Sequence, residues 1–170
     1  MFIRTKKIKR QTYAYLVENT WKRTGSRQEV TSYLGKCIKL TPQQTTHPSL
    51  SPDQTYESLI HELLKTTLLD HGFRSSSSSH FVLLTRDSKD NISINLQRQQ
   101  VTCNNKPIIL SLHNGHFCEH TLTNLFRFAP SDNPEETAHD LAQALLAAGI
   151  NISTENLLIL FEKFHYSTRA

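Results

Sequence analysis

The first 40 residues of this chain alternate in side-chain character with the two-residue period of β-strands. In the middle of this segment, one side of the predicted strand carries Tyr13, Tyr15, Val17 and Trp21, and the other carries Ala14, Leu16 and Glu18. Residues 23–27 contain the glycine and small polar residues of a turn. We therefore predict three antiparallel strands, near residues 2–9, 12–22 and 28–39.

A segment without periodicity follows the predicted strands. Residues 41–54 contain three prolines among Gln, Thr and Ser, a composition typical of a linker. Ser51-Pro52-Asp53 resembles a helix start, because it combines a capping serine, an early proline and an acidic residue near the positive helix end. Apolar residues then recur at helical spacing from Tyr56 to Thr67, and Gly72 can end this helix.

The remaining chain predicts short strands followed by helices. Residues 75–79 are all serine, and we expect a mobile loop there. Alternating patterns predict strands at residues 81–86, 92–97, 101–103 and 107–112, with turns at 87–91 and 104–105. Apolar periodicity predicts a short helix around Leu122–Phe126, a second helix from Asn133-Pro134 to Gly149, and a third capped by Ser153.

The predicted fold class is therefore α+β. A small antiparallel three-stranded sheet at residues 1–40 is joined by a linker at 41–54 to an α+β domain at 55–170. That domain consists of a helix, a four-stranded antiparallel meander and three helices.

Several functional classes lack their sequence signals. No apolar run approaches the roughly 18–20 residues of a membrane span, and no apolar stretch typical of a secretory signal follows the cationic N-terminus. The three cysteines are widely spaced, which favours free thiols and a cytoplasmic location. The sequence has no phosphate-binding glycine loop, nucleophile elbow or spaced carboxylate pair. We therefore expect neither an enzyme nor a cofactor.

Positive charge is concentrated at the N-terminus. Residues 1–40 hold ten Lys and Arg against two Glu, a net charge of +8, whereas the other 130 residues carry a net charge of −4. This asymmetry indicates a module that faces a polyanion. A solvated basic face without a ligand is the alternative.

Aromatic residues are interleaved with these cations. Phosphates require cations, and unpaired bases stack on flat rings, so the combination is typical of nucleic-acid binding. The candidate binding residues are Arg4, Lys6, Lys7, Lys9, Arg10, Tyr13, Tyr15, Trp21, Lys22, Arg23, Arg27 and Lys36. Tyr33 belongs to the same aromatic set. The alternative is that the aromatic residues form the core of a small sheet.

One segment contains several residue types that bind zinc. The weak candidates for metal ligands are His113, His116, Cys118 and His120. Alternation along an extended chain would place the last three on one side. Their spacing matches no zinc finger or knuckle, however, and we favour a surface turn with a buried Cys118 that leads into a helix.

The N-terminal residues also resemble a known family. The segments 1–4 (MFIR), 13–19 (YAYLVEN), 27–28 (RQ) with Val30, and 33–36 (YLGK) are similar to the N-terminal segment of insertion-sequence DDE transposases and of small archaeal proteins of uncharacterised function. Transposases of this kind continue into an RNase H-like catalytic domain with an acidic triad, for which this chain has neither the length nor the residues. The resemblance therefore implies nucleic-acid contact without transposition.

These observations predict a non-enzymatic nucleic-acid-binding protein. DNA and RNA are both open as ligands, and so is association with the ribosome. The body is expected to serve in homo-oligomerisation or docking. A protein-interaction or regulatory module that binds an acidic partner is the second hypothesis, and a small metal-dependent enzyme is the third.

Overall fold

The computed structural model describes residues 1–23, 25–84 and 90–165. Its elements follow in the order β1 (Phe2–Ile8), β2 (Gln11–Lys22), β3 (Gly25–Lys39), α1 (Tyr56–Asp70), β4 (Arg74–Ser77), β5 (His80–Leu84), β6 (Asn91–Asn95), β7 (Gln100–Cys103), β8 (Lys106–Leu112), β9 (Gly115–Phe117), α2 (Glu119–Phe126), α3 (Pro134–Ala147) and α4 (Thr154–His165). The predicted α+β class is confirmed.

The strands form one mixed sheet. Its order is β1-β2-β3-β8-β7-β6-β5-β4, and β9 pairs with β8. The three N-terminal strands pair antiparallel, as predicted. The sequence pattern predicts a separate small sheet for them, but β3 also pairs in parallel with β8, from Lys36 opposite Ile108 to Lys39 opposite Ser111. The N-terminal strands are therefore one end of a larger sheet.

The body contains two strands that the sequence pattern did not predict. Strand β4 falls on the serine run that we expected to be a mobile loop, where Ser75 pairs with Phe81. Strand β9 falls on the candidate metal segment, where His116 pairs with Ser111. Both are short strands, and β4 has no apolar residue, so neither carries a periodic signal. The end of the predicted strand 81–86 and most of the following turn lie outside the described residues.

The approach of β3 to β8 depends on Gly35. Its φ of 126° is a conformation that favours glycine, and a Cβ at this position would lie 2.6 Å from the carbonyl oxygen of Pro107. Between Ala14 and Tyr15 the register of β2 against β3 shifts by a bulge that leaves Leu34 unpaired. The two halves of the sheet are therefore joined at a backbone contact that accepts no side chain.

The helices form the main hydrophobic core with the body of the sheet. Leu59, Leu63 and Leu64 of α1 are buried together with Phe81 and Leu110. The predicted starts of the last two helices are confirmed, because Asn133 accepts the amide of Glu135 and Ser153 accepts that of Asn156. The first helix begins later than predicted. Its N-cap is Thr55, whose hydroxyl accepts the amide of Ser58, and Ser51 lies in a preceding turn.

Residues 41–54 have no helix or strand but contact the body at several points. The backbone amide and hydroxyl of Thr46 donate to the Asp70 carboxylate, both at 2.8 Å. The Asn156 side chain donates to the Pro48 carbonyl at 2.8 Å, and Leu50 is buried in the main core. The segment thus lies against the C-terminal end of α1 and the start of α4.

None of the helices in the described residues is long and apolar enough to cross a membrane.

Candidate nucleic-acid interface

One face of the N-terminal strands combines aromatic rings with cations. Residues directly opposite one another in an antiparallel pair share a face. The register places three tyrosines and three cations together on what we call the tyrosine face: Arg4, Lys6, Tyr13, Tyr15, Tyr33 and Lys36. Each strand contributes two of the six, and the three pairs meet through the pairing of the strands.

The three tyrosine rings lie side by side. The ring centroids of Tyr15 and Tyr33 are 5.5 Å apart, and those of Tyr13 and Tyr33 are 6.3 Å apart, with tilted planes. Tyr33 is 57% exposed, so its ring is accessible. Desolvation, and then its neighbours Tyr13 and Tyr15, raise the pKa of the Tyr33 phenol. Its hydroxyl therefore stays protonated at neutral pH and can donate a hydrogen bond.

The same face extends onto a projecting hairpin. Strand β1 pairs with β2 no further than Val17, whereas β2 and β3 continue to pair up to Lys22 opposite Gly25. We call residues 18–29 the arm. Arg4 reaches its base, where its Nη1 donates to Gln28 Oε1 at 2.6 Å. Within the described residues of the arm no third strand pairs with this ladder, and most of its side chains are exposed on both faces.

Trp21 lies near the tip of the arm. It pairs with Ser26 and is 84% exposed, so it contributes nothing to a core. Asn19 and Gln28 form the adjacent pair on the same face by alternation. The arm therefore continues the tyrosine face with an indole and two amides.

On the opposite face of the N-terminal strands, an apolar patch around Ala14 is covered. Ala14 is fully buried there with Ile109 and Cys118, and Ile3 and Cys37 pack against them. This separates the roles of the aromatic residues and the core. Small aliphatic residues anchor the strands to the body, and the tyrosines remain on the open side.

The other predicted binding residues are distributed elsewhere. Lys7 pairs with Thr12, and Arg27 with Thr20, both on the face opposite the tyrosines. The remaining predicted cations lie in turns: Lys9 and Arg10 between β1 and β2, and Arg23 at the tip of the arm. The side chain of Lys22 lies outside the described residues.

The sequence pattern did not identify Gln28 as part of the candidate interface, and it identified Tyr33 only as one aromatic residue among several. Both residues lie on β3. Their place on the tyrosine face follows only from the register of β3 against β2, which includes two bulges.

The candidate metal ligands do not share one side. His116 lies on β9, but the chain becomes helical after Cys118, so alternation stops before His120. Cys118 is buried at the start of α2, with its Sγ 3.7 Å from Thr121 Oγ1, and burial raises its pKa. Across the described ranges, His, Cys, Asp and Glu form no group of three or more that could hold a metal ion.

His113 instead meets a second histidine. It occupies the β8–β9 turn with a φ of 47°, and its Nδ1 is 3.1 Å from the Gly149 carbonyl oxygen. Its ring is edge-on to that of His71, with centroids 5.2 Å apart. His71 is 2% exposed, and its Nδ1 donates to the Thr67 carbonyl at 2.7 Å. Among the described residues, the buried His71 Nε2 has no hydrogen-bond partner.

We expect the fold to lose stability in mild acid through His71. Desolvation is the main cause that lowers its pKa, and His113 adds to this, while the Thr67 carbonyl and Asp70 oppose it. Below pH about 6.5, His71 binds a proton in the unfolded chain, whereas burial disfavours its protonated form in the folded state. The stability conferred by neutral His71 is therefore present above pH about 6.5 and is lost as the pH falls from there through the lowered pKa of His71.

The melting temperature at pH 7.5 and 5.5 measures this effect. His71→Gln should show a smaller acid-induced decrease than the wild-type protein, and the exposed-site control His47→Gln should show the wild-type decrease. His116 and His120 also have lowered pKa values, so part of the decrease should persist in each variant. An unchanged decrease in His71→Gln would rule out this role.

Comparison of the chain with family models, curated proteins and solved structures finds no match.

Proposed function

We propose that this protein is a non-enzymatic binder of single-stranded nucleic acid, RNA or DNA, and that the strand lies on the tyrosine face. The observation that carries the proposal is the cluster of the half-buried Tyr13 and Tyr15 with the exposed Tyr33, beside Arg4 and Lys6. Unpaired bases stack on such rings irrespective of their identity, and nearby cations neutralise the phosphates.

The dimensions of the face suit a short strand. Eight residues separate Tyr13 from Trp21 along β2, which corresponds to about 26 Å at roughly 3.3 Å per residue. A strand with stacked bases rises about 3.4 Å per nucleotide, so up to about eight nucleotides could span this distance. Binding sites of this size are typical of sheet-based single-strand binders.

A duplex uses the face less well, because paired bases do not expose their rings for stacking. The arm supplies the main argument for a duplex, since a two-stranded ribbon fits the major groove of DNA. An acidic protein partner would use the cations but gain nothing specific from three adjacent rings. A duplex and an acidic protein partner should therefore each bind the tyrosine face more weakly than a single strand.

Fluorescence anisotropy with a labelled ligand tests the proposal. We expect a single-stranded 12-mer to bind more tightly than the corresponding duplex or polyglutamate. The logarithm of the affinity should fall with the logarithm of salt concentration, at a slope of about −0.7 per phosphate contact and near −3 for four contacts. Equal affinity for duplex and single strand would contradict stacking on the tyrosines. Preference for polyglutamate would support the acidic-partner hypothesis instead.

A further inference from the structure

A groove opens where β3 separates from β8, at the end of the tyrosine face. We call it the seam groove. Its volume is about 590 Å³, within the roughly 300–1,000 Å³ of ligand pockets. Its walls come from β3 and from the β7–β8 hairpin, and the lining residues are Tyr33, Leu34, Gly35, Lys36, Cys103, Asn104, Lys106, Pro107 and Ile108.

The groove follows from the strand geometry. Parallel pairing of β3 with β8 begins at Lys36 opposite Ile108, and the bulge at Leu34 directs the preceding part of β3 away. On the other side, Asn104 and Asn105 form a tight turn with φ values of 49° and 63°. The space between the bulge and the hairpin is thus held open by backbone conformation on both sides.

The lining combines an apolar wall with cations at the rim. Leu34, Pro107 and Ile108 supply the apolar surface, and the exposed Lys106 lies at the mouth. Lys36 also lines the groove, and its charge favours the Cys103 thiolate. Burial and Asp90 nevertheless raise the pKa of Cys103, so its thiol remains neutral and does not repel an anion.

Asp90 is a negative group near Cys103, and it accepts two hydrogen bonds. Its carboxylate accepts the side-chain amide of Asn104 at 3.3 Å and a hydrogen bond from the Cys103 thiol. Asn104 Oδ1 in turn accepts the backbone amide of Asn91 at 3.1 Å. These bonds fix the hairpin wall.

We infer that the seam groove holds one nucleotide unit, with its base against Leu34, Pro107 and Ile108 and its phosphate between Lys36 and Lys106. The inference rests on the proposed function, because Tyr33 and Lys36 belong to both the tyrosine face and the groove. A strand that crosses the tyrosines reaches the groove at its end. The bound unit is therefore the terminal nucleotide of that strand, and a free mononucleotide has the same chemistry.

Removal of a terminal base tests the groove separately from the face. We compare a single-stranded decanucleotide with versions that carry an abasic site at the 5′ end or at the 3′ end. For the wild-type protein, loss of one of the two end bases should lower the affinity about five- to tenfold. In Lys106→Gln and in Leu34→Ala, removal of the same end base should lower the affinity less than about twofold, because the groove no longer holds the terminal nucleotide.

Lys65→Gln is the control, since Lys65 is an exposed cation on α1 and should leave the full abasic effect. Lys106 is itself exposed, so its substitution should preserve the fold even if Leu34→Ala is destabilised. Two results would overturn the inference and leave the proposed function intact. One is an undiminished effect of the abasic site on the affinity of Lys106→Gln. The other is an unchanged affinity of the wild-type protein when either end base is removed.

Failure of the wild-type protein to bind the decanucleotide would instead reject the proposed function. Adenosine and uridine monophosphate are then titrated into isotopically labelled protein. Amide shifts at residues 34–36, 106 and 108 would retain the groove as a mononucleotide site, and the absence of shifts there would overturn the inference as well.

Discussion

Gly35→Ala is expected to destabilise the protein by about 2–4 kcal/mol, because it combines an unfavourable backbone conformation with a steric clash. The added Cβ would lie 2.6 Å from the Pro107 carbonyl oxygen and 3.2 Å from its carbonyl carbon. Backbone cannot move aside as a flexible side chain can. Relief of the clash therefore requires β3 and β8 to separate, which weakens the joint between the N-terminal strands and the body.

Gly25→Ala is a matched control for this experiment. Gly25 has a similar φ of 119°, but a Cβ there would meet nothing within 4 Å. It therefore measures the cost of the backbone conformation, about 1–2 kcal/mol, without the clash. Urea denaturation of both variants gives the difference between the two costs.

A larger loss of stability in Gly35→Ala than in Gly25→Ala supports the close joint between β3 and β8. Equal losses would show that the clash at Pro107 is relieved without cost, and that the joint is looser than the structure describes. The same comparison reports on the groove, because Gly35 and Pro107 both line it.

Local signals in the sequence predicted the elements better than their assembly. The helix that starts after Asn133 was predictable because its cap and proline lie next to one another in sequence. The parallel pairing of β3 with β8 was not, since residues 36–39 and 108–111 are separated by helix α1 and four strands. Gly35 was visible as a glycine in a strand, but its function depends on the distant Pro107.

The candidate site shows the same limit. Composition and charge indicated that the N-terminal segment is the candidate binding region, and a two-residue period placed Tyr13 and Tyr15 on one face. It could not distinguish Lys6 from Lys7 as neighbours of those rings, because that choice depends on the register of β1 against β2. The structure pairs Lys6 with Tyr13 and Lys7 with Thr12, and no local signal in the sequence fixes that register.

The second large effect concerns which cations bind the strand. Arg4→Gln/Lys6→Gln removes two cations from the tyrosine face, and Lys7→Gln/Arg27→Gln removes two from the opposite face. Each double variant loses one Lys and one Arg, so each lowers the formal net charge from +4 to +2. All four side chains are exposed, and we expect both variants to fold with near-normal stability.

The salt dependence of single-strand binding in these two variants tests the central claim that the tyrosine face, and not the total charge, binds the nucleic acid. Arg4→Gln/Lys6→Gln should bind a 12-mer roughly tenfold more weakly, and its salt slope should be less steep by about 1.4, or about 0.7 for each lost phosphate contact. Lys7→Gln/Arg27→Gln should keep the wild-type slope and lose less than about threefold in affinity through the long-range field. Equal losses of affinity and slope in the two variants would contradict the claim.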